Sequence, residues 1–328
     1  MLEMLEKLIS FTAVSGNEEA LKGYITDQIL PFVDKVYTDP LGNLIAHKKG
    51  DGNKVMICAH MDTAGIVVTR ADDRGFLKVA PVGPIKAADF LYKSVIFENG
   101  KRGMFCAQKQ EEQSLNFSDC YVDIGAGDEK EALSSVAVGS VARFEGALVQ
   151  NGNRISGAAL DNAVGCLVLL QTIQKLKQNV NDIYFVFSAQ KEVGARGAAI
   201  PAGSIGADIC ISVDVTEAGD QPGAQDGITE LGGGAAVKIR DGSAMCSKSV
   251  VQKLEAVAEF YHIPTQRDVV NAGTTDIGGV QKNGVGARIG GLGIPCRYLH
   301  TPAETVSQKD AEACIGLLCA LLSSAVIK

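Results

Sequence analysis

Histidines and carboxylates stand at the ends of several apolar segments of this 328-residue chain. Each of them follows or interrupts a stretch in which a charge is costly to bury unless it is paired or bound to a metal ion. Nitrogen and oxygen ligands of this kind suit zinc, cobalt or manganese. Five positions have this character, namely His60, Asp161, Glu192, Asp214 and His300. The residue types therefore predict a binding site for divalent metal ions.

A set of five ligands fits two metal ions better than one. With one bridging carboxylate, each ion keeps two further ligands and open positions for water and substrate. Taken singly, His60 or His300 is more often a hydrogen-bonded histidine of a core or cleft, and Asp161 could be only the N-cap of an apolar helix. The ordered set favours two bound ions, zinc or cobalt, with manganese as an alternative.

The elements that would position these residues alternate between strand and helix. Short apolar runs rich in valine and isoleucine predict buried strands at 54–60, 182–189 and 207–214. Periodic apolar residues predict helices at 2–9, 18–30, 163–177, 249–262 and 309–327. This alternation predicts an α/β fold with a doubly wound, mainly parallel sheet, whose ligand site lies at the carboxyl ends of the strands.

The stretch 66–153 has a different character. It is dense in glycine and consists of short segments that alternate apolar and polar residues, with one helical pattern at 127–136. We expect it to form a small β-barrel inserted into the α/β domain. The catalytic domain would then consist of residues 1–65 and 154–328.

Composition argues against several classes of partner. The net charge of −7, without a local run of lysine and arginine, gives no general attraction to nucleic acid or to an anionic membrane. An uninterrupted apolar run of about 18 residues is absent, and the opening segment lacks the features of a signal peptide. Nine cysteines without a CxxC pair indicate free thiols in a reducing compartment. We therefore expect a cytoplasmic protein.

Signature segments follow one another along nearly the whole chain. They are AHMDTAG at 59–65, ALDNAVG at 159–165, EVGARGA at 192–198, DVTEAGDQPG at 214–223 and YLHTPAETVSQKDAE at 298–312. In order and separation they resemble the blocks of the tetrahedral (TET), or glutamyl and deblocking, aminopeptidase family, some relatives of which are named endoglucanases. The resemblance implies a dinuclear metallopeptidase that removes N-terminal residues from peptides. It also implies a large homo-oligomer, such as a dodecamer, in which the inserted barrel contributes to oligomerisation and substrate access.

The resemblance assigns the ligands to two ions. By it, His60, Asp161 and Asp214 hold one ion, and Asp161, Glu192 and His300 hold the other. Asp161 is then the bridging carboxylate. Each residue occupies the matching position of its signature segment.

Two residues beside the ligands also acquire expected roles from the resemblance. Asp62 would orient the imidazole of His60. Lys191 occupies the position of the family's general-base glutamate, directly before Glu192. A protonated lysine cannot accept a proton, so we expect reduced peptidase activity. Its charge would also weaken metal loading, particularly at the ion that Glu192 and His300 hold.

Two other functions compete with this prediction. A metal-binding pseudoenzyme with a binding or structural role is supported by Lys191. Glycoside hydrolysis by paired carboxylates is disfavoured, because histidines among the carboxylates describe a metal site better than an acid and nucleophile pair. The sequence leaves two interpretations for each of three further acidic residues. Glu217 and Asp220, on a glycine-rich loop, either face substrate or are simply solvated. Asp276 either lies near the site or only starts a predicted helix.

Overall fold

The computed structural model of the chain describes residues 1–108, 115–224, 228–282 and 286–324. Numbered along the chain, its strands are β1 (Lys35–Thr38), β2 (Leu44–Lys48), β3 (Lys54–His60), β4 (Gly65–Ala71), β5 (Leu77–Val82), β6 (Ser94–Phe97), β7 (Arg102–Ala107), β8 (Cys120–Asp123), β9 (Val141–Phe144), β10 (Val149–Asn151), β11 (Arg154–Gly157), β12 (Asp182–Ser188), β13 (Ile209–Glu217), β14 (Ala235–Arg240), β15 (Thr265–Val269), β16 (Arg288–Arg297) and β17 (Glu304–Ser307). Its α-helices are α1 (Leu2–Ser10), α2 (Glu19–Ile29), α3 (Glu129–Ser135), α4 (Leu160–Lys175), α5 (Ala199–Ile205), α6 (Lys248–Phe260), α7 (Asp276–Lys282) and α8 (Gln308–Leu322).

Eleven of these strands form one mixed sheet. Its order is β1-β2-β12-β3-β13-β16-β17-β11-β10, and β14 pairs with both β16 and β15. The central strands β12, β3, β13 and β16 are parallel, whereas β1, β2, β17, β11 and β10 pair antiparallel with their neighbours. The predicted α/β sheet is confirmed, and its parallel part is the centre that carries the site.

The centre of the sheet is buried on both faces, as strand β3 illustrates. Alternate side chains of a strand point to opposite faces. Val55 and Ile57 of β3 belong to the core beneath α4 and α8, while Met56 and Cys58 pack with residues of α5 and α7. A strand covered on both sides reads as a continuous apolar run, which explains the segment KVMICA before His60.

The second unit is a closed antiparallel barrel of six strands in the order β4-β5-β8-β7-β6-β9. Alternation of apolar and polar residues along its short strands places aromatic and branched side chains inside. Phe97, Phe105 and Val122 are at most 1% exposed, and the Phe90 and Phe144 rings lie 4.1 Å apart. The predicted inserted barrel is thus confirmed, with α3 beside it as the one helix expected there.

Several expected boundaries differ from the structure. Strand β10 lies within the stretch 66–153 but pairs with β11 in the large sheet, so the division into domains at 153 stays a prediction that this pairing does not favour. Strand β13 continues to Glu217, because the apolar run does not stop at Asp214. Helix α4 spans Leu160–Lys175, but Asp161 and Asn162 have non-helical backbone angles, so its regular part begins at the expected start. The helix expected at 309–327 is α8, and residues 325–327 of that expectation lie outside the described residues.

Two observations bear on the exclusions drawn from composition. The nine cysteines all fall among the described residues and are free thiols. Within the part of the chain that the structure describes, the helices are too short or too polar to span a bilayer.

Candidate metal centre

The first group of ligand-type side chains gathers where β3 and β13 lie side by side. These parallel strands pair Ser212 with Cys58, so His60 and Asp214, each two residues further along, reach the same part of the sheet. Asp161 joins them from the start of α4, where its own backbone is not helical (φ −80°, ψ 105°). The His60 Nε2 atom lies 3.1 Å from Oδ1 of Asp161 and 3.3 Å from Oδ1 of Asp214. One ligand atom from each of the three lies within 4.8 Å of the others.

A second group contains Asp161 again, together with Glu192 and His300. Glu192 lies in the loop after β12, and His300 lies in the turn between β16 and β17. The His300 Nε2 atom is 3.2 Å from Oδ2 of Asp161, which is the carboxylate oxygen that does not face His60. The five predicted residues are therefore brought together, in two groups that share Asp161.

The donor set fits divalent cations. Imidazole nitrogens and carboxylate oxygens are ligands that zinc and related ions accept. The side chains of Asp161, Glu192 and Asp214 are only 3 to 4% exposed. Among the described residues, the buried Oε1 of Glu192 has no hydrogen-bond partner. A concentration of buried negative charge with an unsatisfied oxygen is expensive unless cations compensate it.

Asp62 contacts His60 in a different way from the expected one. The His60 Nδ1 atom lies 2.9 Å from the main-chain carbonyl oxygen of Asp62, whereas the carboxylate Oδ1 is 3.6 Å away. The carboxylate instead accepts hydrogen bonds from the amides of Lys191 and Glu192 and from the Ser15 hydroxyl. Asp62 thus faces the imidazole mainly through its carbonyl group, and its carboxylate holds the loop that carries Lys191.

Lys191 lies inside the cluster of carboxylates. Its Nζ atom is 3.6 Å from Asp214 Oδ2 and 3.8 Å from both Asp161 Oδ1 and Glu192 Oε1, and the residue is 7% exposed. Burial lowers the pKa of Lys191, but the carboxylates of Asp161, Asp214 and Glu192 outweigh burial and raise this pKa well above its usual value. In the absence of other cations the side chain is therefore an ammonium at neutral pH.

The same proximity shifts the ionisation of the proposed ligands. Burial raises the pKa of Glu192 to about 7, against the opposing effect of the Lys191 ammonium. Burial and Lys191 lower the pKa of His60, yet the carboxylates of Asp214 and Asp161 raise it well above its usual value. These pKa shifts indicate that several buried groups depend on the same compensating positive charge. A bound dication would supply that charge.

Glu304 is a site residue that sequence reasoning missed. Its carboxylate accepts hydrogen bonds from the backbone amides of Asp161 and His300, and the residue is 3% exposed. Burial, followed by the charge of Asp161, raises the pKa of Glu304 to about 8. The available signal was a glutamate that opens the short apolar strand ETVS, four residues after His300.

Asp276 also lies close to the cluster, and it starts helix α7, as its interpretation as a helix start predicted. It is 1% exposed, and its Oδ2 accepts a hydrogen bond of 2.6 Å from the Ser188 hydroxyl. Burial raises the pKa of Asp276 to about 6. The residue therefore supports the end of β12 beneath the site rather than lining the cavity.

A cavity of about 300 Å³ opens beside the two groups. Asp161, Lys191 and Asp214 form its polar side, and apolar side chains such as Val215, Val270 and Leu299 line it as well. Its volume is at the lower end of what small-molecule sites occupy. The arrangement can therefore place one side chain of a small substrate beside the candidate metal ligands.

The remaining polar candidates fall into different surroundings. Glu217 lines the cavity. Asp220 instead binds the Arg297 guanidinium through both carboxylate oxygens. His47 stacks on Tyr184 with ring centroids 4.2 Å apart. Neither Asp220 nor His47 belongs to the two ligand groups.

Known proteins match the chain over nearly its whole length. The sequence profile of the M42 glutamyl aminopeptidase family matches residues 42–317. A putative aminopeptidase from Acetivibrio thermocellus is 42% identical over 320 residues, covering 97% of each chain. The solved structure of an aminopeptidase from the archaeon Desulfurococcus kamchatkensis is 33% identical and superposes with a TM-score of 0.93, covering 98% of this chain and 94% of its own.

A dodecameric structure described as PhTET1-12s is 29% identical, with a TM-score of 0.90 and 98% of both chains covered. These matches agree with the resemblance that the signature segments indicated. Because the family profile and the relative at 42% identity each cover most of the sequence, the chain belongs to the M42 glutamyl aminopeptidase family.

Proposed function

We propose that the protein, with two divalent metal ions bound, is an aminopeptidase that removes N-terminal residues from peptides. The ions are zinc or cobalt, with manganese as an alternative. His60, Asp161 and Asp214 hold one ion, and Asp161, Glu192 and His300 hold the other. The observation that carries this proposal is the position of Asp161, whose two carboxylate oxygens face His60 on one side and His300 on the other.

The chain's own residues give the site its geometry. When bound, the ions would polarise a peptide carbonyl and lower the pKa of a water molecule. The cavity beside Asp214 receives the N-terminal side chain, with Val215 and Leu299 among its walls. The acidic residues around the cavity attract the ammonium group of a peptide's free amino end, which favours exopeptidase action.

Lys191 limits this activity in the proposal. It occupies the general-base position, and its ammonium lies within 4 Å of three carboxylates that would hold the ions. A protonated lysine cannot take a proton from water, and its charge competes with the dications. We therefore propose reduced peptidase activity and incomplete metal occupancy, most of all at the ion that Glu192 and His300 hold.

The same observation favours a second candidate, a metal-binding pseudoenzyme with a binding or structural role. In that case the ions are bound but peptides are not turned over. Glycoside hydrolysis stays disfavoured, because the carboxylates of the site are interleaved with His60 and His300 at contact distance.

The proposal is tested by measuring metal content and peptidase activity on the same preparation. The purified chain is loaded with zinc or cobalt, its metal content is determined by mass spectrometry, and hydrolysis of a panel of aminoacyl p-nitroanilides is followed. We expect activity on free amino ends that a chelator abolishes and added metal restores. Metal binding without turnover on any substrate would establish the pseudoenzyme. Cellulose hydrolysis that survives the chelator would establish the glycosidase.

Assembly and location belong to the same proposal. The dodecamer described for PhTET1-12s supports a homo-oligomer for this chain, such as a dodecamer, with the barrel supplying contacts. Peptides are the proposed substrates, with no nucleic acid or membrane as a partner. The cytoplasmic location stays a prediction from composition.

A further inference from the structure

Strand β17 stands between the two segments that bring Asp161 and His300 to the site. It pairs antiparallel with β11, with Glu304 opposite Gly157, and with β16, with Thr305 opposite Arg297. Asp161 follows β11, and His300 follows β16. The first residue of β17 is therefore placed where both ligand segments leave the sheet.

Glu304 uses each of its carboxylate oxygens on a different ligand segment. The amide of Asp161 donates to Oε2 at 3.1 Å, and the amide of His300 donates to Oε1 at 3.0 Å. Glu304 is only 3% exposed, so losing these hydrogen bonds is costly because water cannot readily replace them. One carboxylate thus joins two backbone positions that belong to different loops.

The backbone next to both hydrogen bonds is in an uncommon conformation. His300 has a φ of +60°, and Ala159, two residues before Asp161, has a φ of +62°. Left-handed dihedral angles are unfavourable for a non-glycine residue, and they persist where the surroundings hold them. Glu304 can hold both segments at once, because its two carboxyl oxygens accept hydrogen bonds from two different backbone amides.

We propose that Glu304 is a positioning residue of the metal centre, which fixes Asp161 and His300 relative to each other so that their side chains reach the same ion. This inference rests on the proposed function, since it takes both residues as ligands. Glu304 acts through these two residues, because both of its oxygens already accept amide hydrogens. A purely structural role would instead stabilise β17 without affecting how the ion is held.

The test is the metal affinity of the full-length chain with Glu304→Gln. A glutamine offers one carbonyl oxygen, and its NH₂ group turns a donor towards the second amide, so one of the two hydrogen bonds is lost. Metal-free protein is titrated with Zn²⁺ in competition with a chromogenic chelator. Loss of a partner that orients a ligand weakens metal binding by about 10 to 100-fold. We expect this loss at the ion that Asp161, Glu192 and His300 hold, and a smaller loss at the other ion.

The control is Thr305→Val, which removes the neighbouring hydrogen bond of 2.8 Å to the Ser156 hydroxyl on the same strand pair. It should leave both metal affinities unchanged. The thermal midpoint of each metal-free variant is measured alongside. Weaker zinc binding by Glu304→Gln with a midpoint close to the native one supports the inference. The inference is overturned if zinc binding is unchanged. It is also overturned if the thermal midpoint falls and the affinities for both ions fall equally.

The remaining outcomes are also decisive. The titration is repeated with Lys191→Glu added to the native chain and to each variant, so that zinc binding at a poorly occupied second metal site can be measured. If only one ion binds, the inference stands only if Glu304→Gln lowers the affinity for that ion about tenfold or more. If Glu304→Gln does not fold, Glu304→Asp is judged by the same criterion. A native chain that binds no zinc overturns the proposed function and this inference together, whereas unchanged binding by the variant overturns this inference alone.

Discussion

At the scale of single residues, the charge of Lys191 sets the properties of the site. Its ammonium lies among Asp161, Glu192 and Asp214, where a dication would also lie close to the same oxygens. An ammonium and a dication in one small volume repel each other strongly, because burial reduces solvent screening. Part of the charge compensation that metal ions would give is therefore already supplied by the chain.

Replacing this lysine with a carboxylate should activate the site. For Lys191→Glu we expect fuller metal loading and a rise in kcat/KM of about 100 to 10,000-fold, the range that general acid and base catalysis contributes. Metal content and p-nitroanilide hydrolysis at saturating zinc measure the two effects.

The neutral variant Lys191→Gln is the matched control. It removes the repulsion without adding a base, so it should improve metal loading but give little of the gain in kcat/KM. The expectation would be contradicted if the native protein already held two ions tightly and turned over substrates at an ordinary enzymatic rate, and if the Lys191→Glu substitution lowered that activity.

At the scale of elements, a buried ion pair joins β14 to β15 beside the cavity. Lys238 and Asp268 are register partners on these parallel strands. Their side chains are 2% and 0% exposed and form an ion pair, and Lys238 also donates to the Thr216 hydroxyl. Removing one partner of such a pair leaves an uncompensated buried charge, whereas replacing both with apolar residues avoids it.

We therefore expect Lys238→Met to destabilise the fold by about 3–5 kcal/mol. The double variant Lys238→Met, Asp268→Leu should recover most of this loss. Urea unfolding at one fixed protein concentration gives the comparison, because association changes apparent stability. Equal free energies of unfolding for the native chain and the single variant would show that the pair contributes nothing to stability.

At the scale of the whole molecule, the proposed ions connect segments far apart in the sequence. The proposed ligands come from β3, α4, β13 and the loops after β12 and β16. Metal bound to the folded chain stabilises it by about 2.7 kcal/mol at a hundredfold excess over Kd. We expect removal of the metal to lower Tm by on the order of 5 °C, measured by calorimetry with and without a chelator. A Tm that does not respond to added zinc would count against the site.

The assembly is the second property of the whole molecule. We expect sedimentation velocity to show a closed homo-oligomer at micromolar concentration, as cyclic or higher symmetry would give. A species of the monomer mass, 34.4 kDa, across that concentration range would contradict this expectation.

The sequence by itself determined the elements and singled out the candidate ligand residues. Apolar runs and their periodicity are local properties, so the strand ending at His60, the helix after Asp161 and the inserted barrel could be predicted from composition and spacing. The signature segments then indicated a family, because they follow one another in a fixed order along the chain.

Only the tertiary structure decided how these residues meet. The amide of Asp161 donates to Glu304 across 143 positions of sequence, and that of Lys191 donates to Asp62 across 129. Contacts of this kind depend on how β17, β11 and the loops pack, which local patterns do not encode. For the same reason the distance of Lys191 from each carboxylate, and the contact of His60 with the carbonyl of Asp62, followed from the fold alone.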